Sequence, residues 1–201
     1  MTASAQVRNY ITNIPEGQPF PSTALRPFAS TENIRQILNR LVKTGELSRV
    51  ARGVFVKPKQ VAKLGTVLPS ASEVAKALAE STGETISIHG AEAARQLQLT
   101  TQVPMRPVFY TSGNTRILKI ANRTIKLKHV NPSKLIAPDT IAGLVISALS
   151  YLGRENVTIE TIKTIKQRIF PEDFAETINL IERMPAWMAD MFYRFQQQEK
   201  K

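Results

Sequence analysis

Between Thr31 and Thr44 the apolar side chains fall at Ile34, Ile37, Leu38 and Leu41, the i, i+3, i+4, i+7 spacing of a single buried helical stripe. At about 100° per residue, Glu32, Gln36, Asn39 and Lys43 stand on the opposite side, flanked by Arg35 and Arg40. Such a helix has to lay one face on a core and leave the other to water or a polar partner. Lys43 suits the negative end of the helix dipole, and Gly45 supplies the left-handed residue that ends the helix.

The flanking residues extend this pattern. Glu46 to Val50 and Val54 to Lys57 read as two short strands, joined by a tight turn at Ala51-Arg52-Gly53 that carries a cation. Upstream, Ser22 to Phe28 reads as a supporting helix and Ala29-Ser30 as a turn, with the Ser30 hydroxyl placed to cap the helix at Thr31. Helix, turn, helix and basic-tipped hairpin together make a winged helix-turn-helix, whose second helix enters the major groove of duplex DNA. In that reading Thr31, Asn33, Gln36, Asn39 and Arg40 reach base edges or flanking phosphates. Arg35 and Lys43 grip phosphate, and Arg49, Arg52 and Lys57 anchor the wing. An ordinary surface helix shows the same stripe, so the charge outside the helix has to decide.

That charge is uneven. The 201 residues carry a net +11, of which residues 1–65 hold +7, residues 66–135 hold +5 and residues 136–201 hold −1. An excess of cations around one exposed helix is the footprint of a polyanionic partner, because each neutralised phosphate releases counterions. Membrane surfaces also attract cations, but no apolar run approaches the roughly 18 residues needed to span a bilayer. Nor does the start of the chain have the basic-then-apolar layout of a signal peptide. With no cysteine there is no disulfide, cysteine-type zinc site or thiol nucleophile. The expected setting is the cytoplasm.

The expected fold class is α+β, with a winged helix-turn-helix in residues 1–65 and a mixed α/β domain in residues 66–201. A first helix is expected over Ser4–Ile14, with Tyr10 and Phe28 packing on Ile34 and Leu38. After the wing, Ser70 and Glu73 stand at capping-box spacing before an alanine-rich helix that stops at Gly83. Thr85–His89 reads as a strand and Gly90–Leu97 as a helix. Three runs, Pro107–Ser112, Thr115–Ala121 and Arg123–Val130, then read as a small antiparallel meander. Lys126 and Lys128 alternate with Ile125 and Leu127. Arg116, Lys119 and Arg123 are candidates to join those lysines in a second basic surface, although the pattern leaves open which face Arg116 and Lys119 occupy. Helices fill residues 138–198: Asp139–Leu152, apolar almost all round and expected against the sheet, then Thr158–Ile169, Pro171–Met184 and Ala186–Gln197. Trp187, Met188, Met191, Phe192 and Phe195 form a stripe read as core.

Catalytic chemistry finds no footing. The two histidines, His89 and His129, lack a second ligand at a metal-site interval, and no nucleophile elbow, phosphate loop or dinucleotide fingerprint is present. No catalytic residue, metal or cofactor is expected.

Three segments together carry a resemblance. Leu47-Ser48-Arg49-Val50-Ala51-Arg52-Gly53-Val54-Phe55, then Ile88-His89-Gly90-Ala91-Glu92-Ala93-Ala94, then Leu99-Thr100-Thr101-Gln102-Val103-Pro104 resemble the AbiEi family of antitoxins and related winged-helix regulators. Gln98 stands where that family's loop pattern has glycine. The resemblance implies a bacterial antitoxin that represses its own operon by binding double-stranded DNA at the promoter. It also implies a C-terminal domain that neutralises a nucleotidyltransferase-type toxin. Two other classes stay open on the residues themselves: a protein-interaction module built on the helical C-terminal section, and an RNA-binding protein using the basic sheet. The oligomeric state is open too.

Overall fold

The computed structural model describes residues 2–62, 65–120 and 123–199. It is a mixed α+β structure that divides into two compact units, one of Met1–Glu84 with Ile117–Ile125, the other of Thr85–Arg116 with Lys126–Lys201.

In the first unit, α1 (Ala3–Asn13) precedes a short strand β1 (Pro19–Pro21), a single 3-10 turn (Ser22–Leu25) and α2 (Thr31–Lys43). β2 (Ser48–Ala51) and β3 (Val54–Val56) form a hairpin, β4 (Lys59–Val61) and β5 (Gly65–Val67) a second pair, and α3 (Ala71–Thr82) closes the unit. The main sheet is antiparallel in the order β1-β3-β2. The core is built from Val7, Ile11 and Ile14 of α1 and its end, the α2 stripe, and Phe20, Leu25, Leu47 and Phe55, with Tyr10 and Phe28 packed against it.

The structure departs from two local expectations and adds one strand. The supporting element is one 3-10 turn rather than a helix over Ser22–Phe28, because Pro27 has no amide proton to donate four residues back. Residues Pro19–Pro21, which no sequence pattern marks, form a strand. β1 lies at the sheet edge, where proline costs no ladder bond, and Phe20 pairs with Phe55 across it. The unit runs on to Glu84 rather than ending at 65, because α3 packs Val74, Ala75, Ala77 and Leu78 inward and lies on β1, β2 and β3. The capping box of Ser70 and Glu73 and the left-handed Gly83 end residue are as the spacing indicates.

In the second unit, β6 (Ile86–Ile88), α4 (Gly90–Gln96) and β7 (Val108–Thr111) precede the hairpin strands β8 (Arg116–Ile120) and β9 (Arg123–His129). The hairpin end, Ile117–Ile125, belongs to the first unit. The three strand runs exist, but the sheet order is β6-β7-β9-β8 with β7 parallel to β9, so it is not a meander. β9, with Ile125 and Leu127 fully buried, takes an interior slot, and β8, whose Ile117 is largely exposed, takes the edge.

Four further helices follow: α5 (Ile141–Leu152), α6 (Ile159–Arg168), α7 (Pro171–Asn179) and α8 (Ala186–Glu199). α5 packs mainly on α4 and α7 rather than on the sheet. Gly90 makes the α4–α5 contact possible, since a Cβ there would lie 2.4 Å from Tyr151 Cβ and 2.5 Å from the Ser147 carbonyl. Met188, Phe192 and Phe195 are buried in the helical core, with Trp187 and Met191 packed against it. Among the described residues, no helix is long and apolar enough to cross a membrane.

Candidate nucleic-acid interface

Helix α2 starts where the Ser30 hydroxyl accepts the Asn33 amide at 3.4 Å, and its chain turns away at Gly45, which holds φ +78°. Ile34, Ile37, Leu38 and Leu41 are buried in the unit's core. Thr31, Asn33, Arg35, Gln36, Asn39, Arg40 and Lys43 are all exposed, as one solvent-facing side of a single helix.

The β2–β3 turn sits beside this face. Arg49 and Arg52 are exposed, and Arg49 Nε donates to the Ala51 carbonyl at 3.4 Å. The turn is fixed from beneath: the Gly53 carbonyl accepts the Ser22 amide at 2.8 Å. Gly53 holds φ +78°, and a Cβ on it would come within 2.7 Å of Ser81 Oγ. Only glycine fits that position without strain.

Between α2 and the turn lies a cleft of about 460 Å³. Arg26, Arg35, Arg49 and Arg52 line it together with Thr31 and Asn39, over Ile34, Leu38 and Phe55. No carboxylate is among its lining residues. Guanidiniums held along such a walled groove attract a phosphate chain and bind its oxygens bidentately. Periodicity does not single out Arg26, because it directly follows the 3-10 turn. Its only signal is a lone cation directly before Pro27.

Two carboxylates temper the positive charge. Glu32 Oε1 accepts from Arg35 at 2.7 Å and from Gln36 at a long 3.5 Å. The Arg35 guanidinium holds the Glu32 carboxyl below the usual carboxylate range, and Glu32 in turn raises Arg35. Glu46 pairs with Arg8 at 3.5 Å on the exposed surface, a contact worth little.

Lys57, expected beside the turn, is used elsewhere. Its ammonium donates to the carbonyls of Thr12 and Ile14, both at 3.1 Å, and so caps the C-terminal end of α1.

The second set of cations is divided. Lys126 and Lys128 are exposed on β9 in the second unit, opposite the buried Ile125 and Leu127. Arg116, half-buried, donates to the Asn114 carbonyl at 3.1 Å. Lys119 and Arg123 are exposed and lie in the hairpin end that belongs to the first unit.

His89 caps α4, its Nδ1 accepting the Ala91 amide at 3.2 Å, with its ring 4.7 Å from that of Tyr110 and 6.0 Å from that of Tyr151. Burial, aided by Lys128, holds its imidazole below the ordinary histidine value. His129 Nδ1 lies 2.7 Å from the Gly113 carbonyl. No cluster of metal-ligating side chains occurs among the described residues.

Residues 6–176 match a family of unknown function, DUF6088. The chain belongs to this family. The matched span takes in α2, the β2–β3 turn and the cleft between them, so the arrangement falls inside the DUF6088 region. No curated protein matches the chain.

Proposed function

We propose that this DUF6088 chain is a sequence-specific, duplex-DNA-binding transcriptional regulator whose first unit is a winged helix-turn-helix. α2 is the recognition helix and the β2–β3 turn its wing. The observation that carries this reading is the cleft between them, where four arginines converge and no carboxylate lines the wall. The element order α1, β1, 3-10 turn, α2, β2, β3 with sheet order β1-β3-β2 supports it, since it puts an exposed polar helix beside a rigid cationic turn.

In this reading α2 enters the major groove. Gln36, Asn39, Thr31, Asn33 and Arg40 face base edges, Arg35 and Lys43 face phosphate, and Arg49 and Arg52 hold the backbone on the wing side. Arg26 joins them from the end of the 3-10 turn. The protein acts by binding, not by catalysis, and works in the cytoplasm where its DNA is.

The resemblance to AbiEi antitoxins gives the regulator its setting: repression of its own operon and neutralisation of a nucleotidyltransferase-type toxin through the second unit. The test is twofold. Fluorescence-anisotropy titration of the upstream promoter against a shuffled duplex should show preference for the promoter, with affinity that falls steeply with salt. Co-expression with the adjacent gene should relieve that gene's toxicity. Equal, salt-insensitive binding to both duplexes overturns the regulator reading, and toxicity unchanged by the chain overturns the antitoxin one.

A further inference from the structure

The exposed side of α2 carries one carboxylate, in the first turn of the helix. Glu32 shares its row with Gln36, Asn39 and Lys43 at about 100° per residue, and its side chain is 58% exposed. Against a polyanion such a charge is unfavourable unless it accepts hydrogen bonds there. Its contribution to stability does not account for its place, because an exposed i, i+3 pair and a first-turn acid each contribute little.

The major groove offers a carboxylate few partners. Guanine shows two acceptors and thymine one, all of which repel it, and adenine sets an acceptor beside its amino group. Cytosine alone shows an amino donor with no acceptor next to it. Glu32 is arranged to use that donor: one oxygen holds Arg35 at 2.7 Å, while its Oε2 accepts no hydrogen bond among the described residues. The Arg35 bond restricts the carboxylate's rotation, and Arg35 itself lines the cleft.

We propose that Glu32 is a specificity-determining residue whose free oxygen accepts the N4 amino group of a cytosine while its other oxygen positions Arg35 along the cleft. This rests on the DNA-binding reading of α2.

Selection from a pool of random-sequence duplexes tests it, using the full chain, Glu32→Gln and Glu32→Ala, with circular dichroism confirming that each is folded. The unsubstituted chain should enrich a motif containing a C·G pair that both variants lose, a change of about tenfold in relative affinity for that position. Glu32→Gln should enrich adenine there instead, as an amide pairs with adenine's donor and acceptor together. Both variants should bind unselected duplex more tightly, having removed a negative charge from the interface. Retention of the motif by both variants with a uniform gain in affinity would make Glu32 a repulsive charge only. A uniform loss on all duplexes would make its role structural. Either result overturns the inference while leaving the regulator reading intact. Failure of the unsubstituted chain to enrich any motif overturns that reading, and this inference with it.

Discussion

The ammonium of Lys57 donates to the Ile14 carbonyl at 3.1 Å, and to that of Thr12 at the same distance, so the end of β3 is tied to the end of α1. A cation on these carbonyls satisfies groups that α1 cannot satisfy itself and complements the negative end of its dipole. Replacing Lys57 by Met should therefore cost about 1–2 kcal/mol, the scale of a charged hydrogen bond in a half-buried setting. In a chain of this size that lowers the melting temperature by about 2–8 °C. The slope of DNA affinity against salt should not change. A loss of salt slope without a loss of stability would return Lys57 to the interface.

Arg52 and Gln36 should behave differently from Lys57 and from each other. Arg52→Ala is expected to weaken binding to every duplex and reduce the salt slope by about one unit, since one phosphate contact is lost. Gln36→Ala should instead relax preference at one base pair by roughly 1–3 kcal/mol. Titrations of specific and shuffled duplexes across salt separate the two. Equal effects of both substitutions on both duplexes would contradict the assignment.

Gln98 closes α4 at φ +55°, with its amide on the Arg95 carbonyl at 2.9 Å and the Leu99 amide on the Ala94 carbonyl at 2.8 Å. These are the two bonds of a Schellman end, whose left-handed residue is best filled by glycine. Gln98 thus falls on a position where any side chain is strained. Gln98→Gly should stabilise the protein by about 0.5–1 kcal/mol, the steric gain being partly offset by the greater freedom of glycine in the unfolded chain. Urea unfolding measures it, and a destabilised variant would contradict the account.

Gly90 presents the opposite case. A methyl group there would meet Tyr151 Cβ and the Ser147 carbonyl well inside contact distance, so α4 and α5 would have to separate. Gly90→Ala should cost about 1–3 kcal/mol by overpacking. Thermal melts test this, and an unchanged midpoint would show that the helices yield freely.

His89 makes stability depend on pH. Its folded value is depressed by burial and by Lys128, so as pH falls the unfolded chain takes up the proton first. The stability it contributes is fully present above the ordinary histidine value of about 6.5 and is lost as pH falls through the lower folded value. His89→Asn keeps a cap acceptor but cannot titrate, and should lose this part of the decline between about pH 7.5 and 5.5. Urea midpoints across that window decide it; identical declines in both proteins would contradict the assignment.

Much of this molecule is local in origin and was legible as such. The α2 stripe, the Ser30 and Ser70 caps, the Gly45 and Gly83 stops and the Ile125/Leu127 alternation all follow from spacing within one element. What escaped depends on distant partners. The exchange of β9 for β8 inside the sheet, and the packing of α3 on β1, β2 and β3, are decided by relative burial between segments far apart in the chain. Lys57 and Arg26 are illegible for the same reason, since neither periodicity nor charge shows that one ammonium is used by α1 or that the residue closing one 3-10 turn faces a cleft. Glu32 was visible on the polar face, but its hold on Arg35 was not.

In the proposed function, the exposed side of α2 and the Arg52 turn together receive duplex DNA. Amide chemical-shift mapping of the isotope-labelled protein, titrated with the promoter duplex at low salt, tests it most directly. Shifts should concentrate at residues 31–43 and 49–53, with Arg26 beside them. Shifts confined to residues 85–116 and 126–199, or no shifts under conditions where control duplex-binding proteins respond, would contradict it.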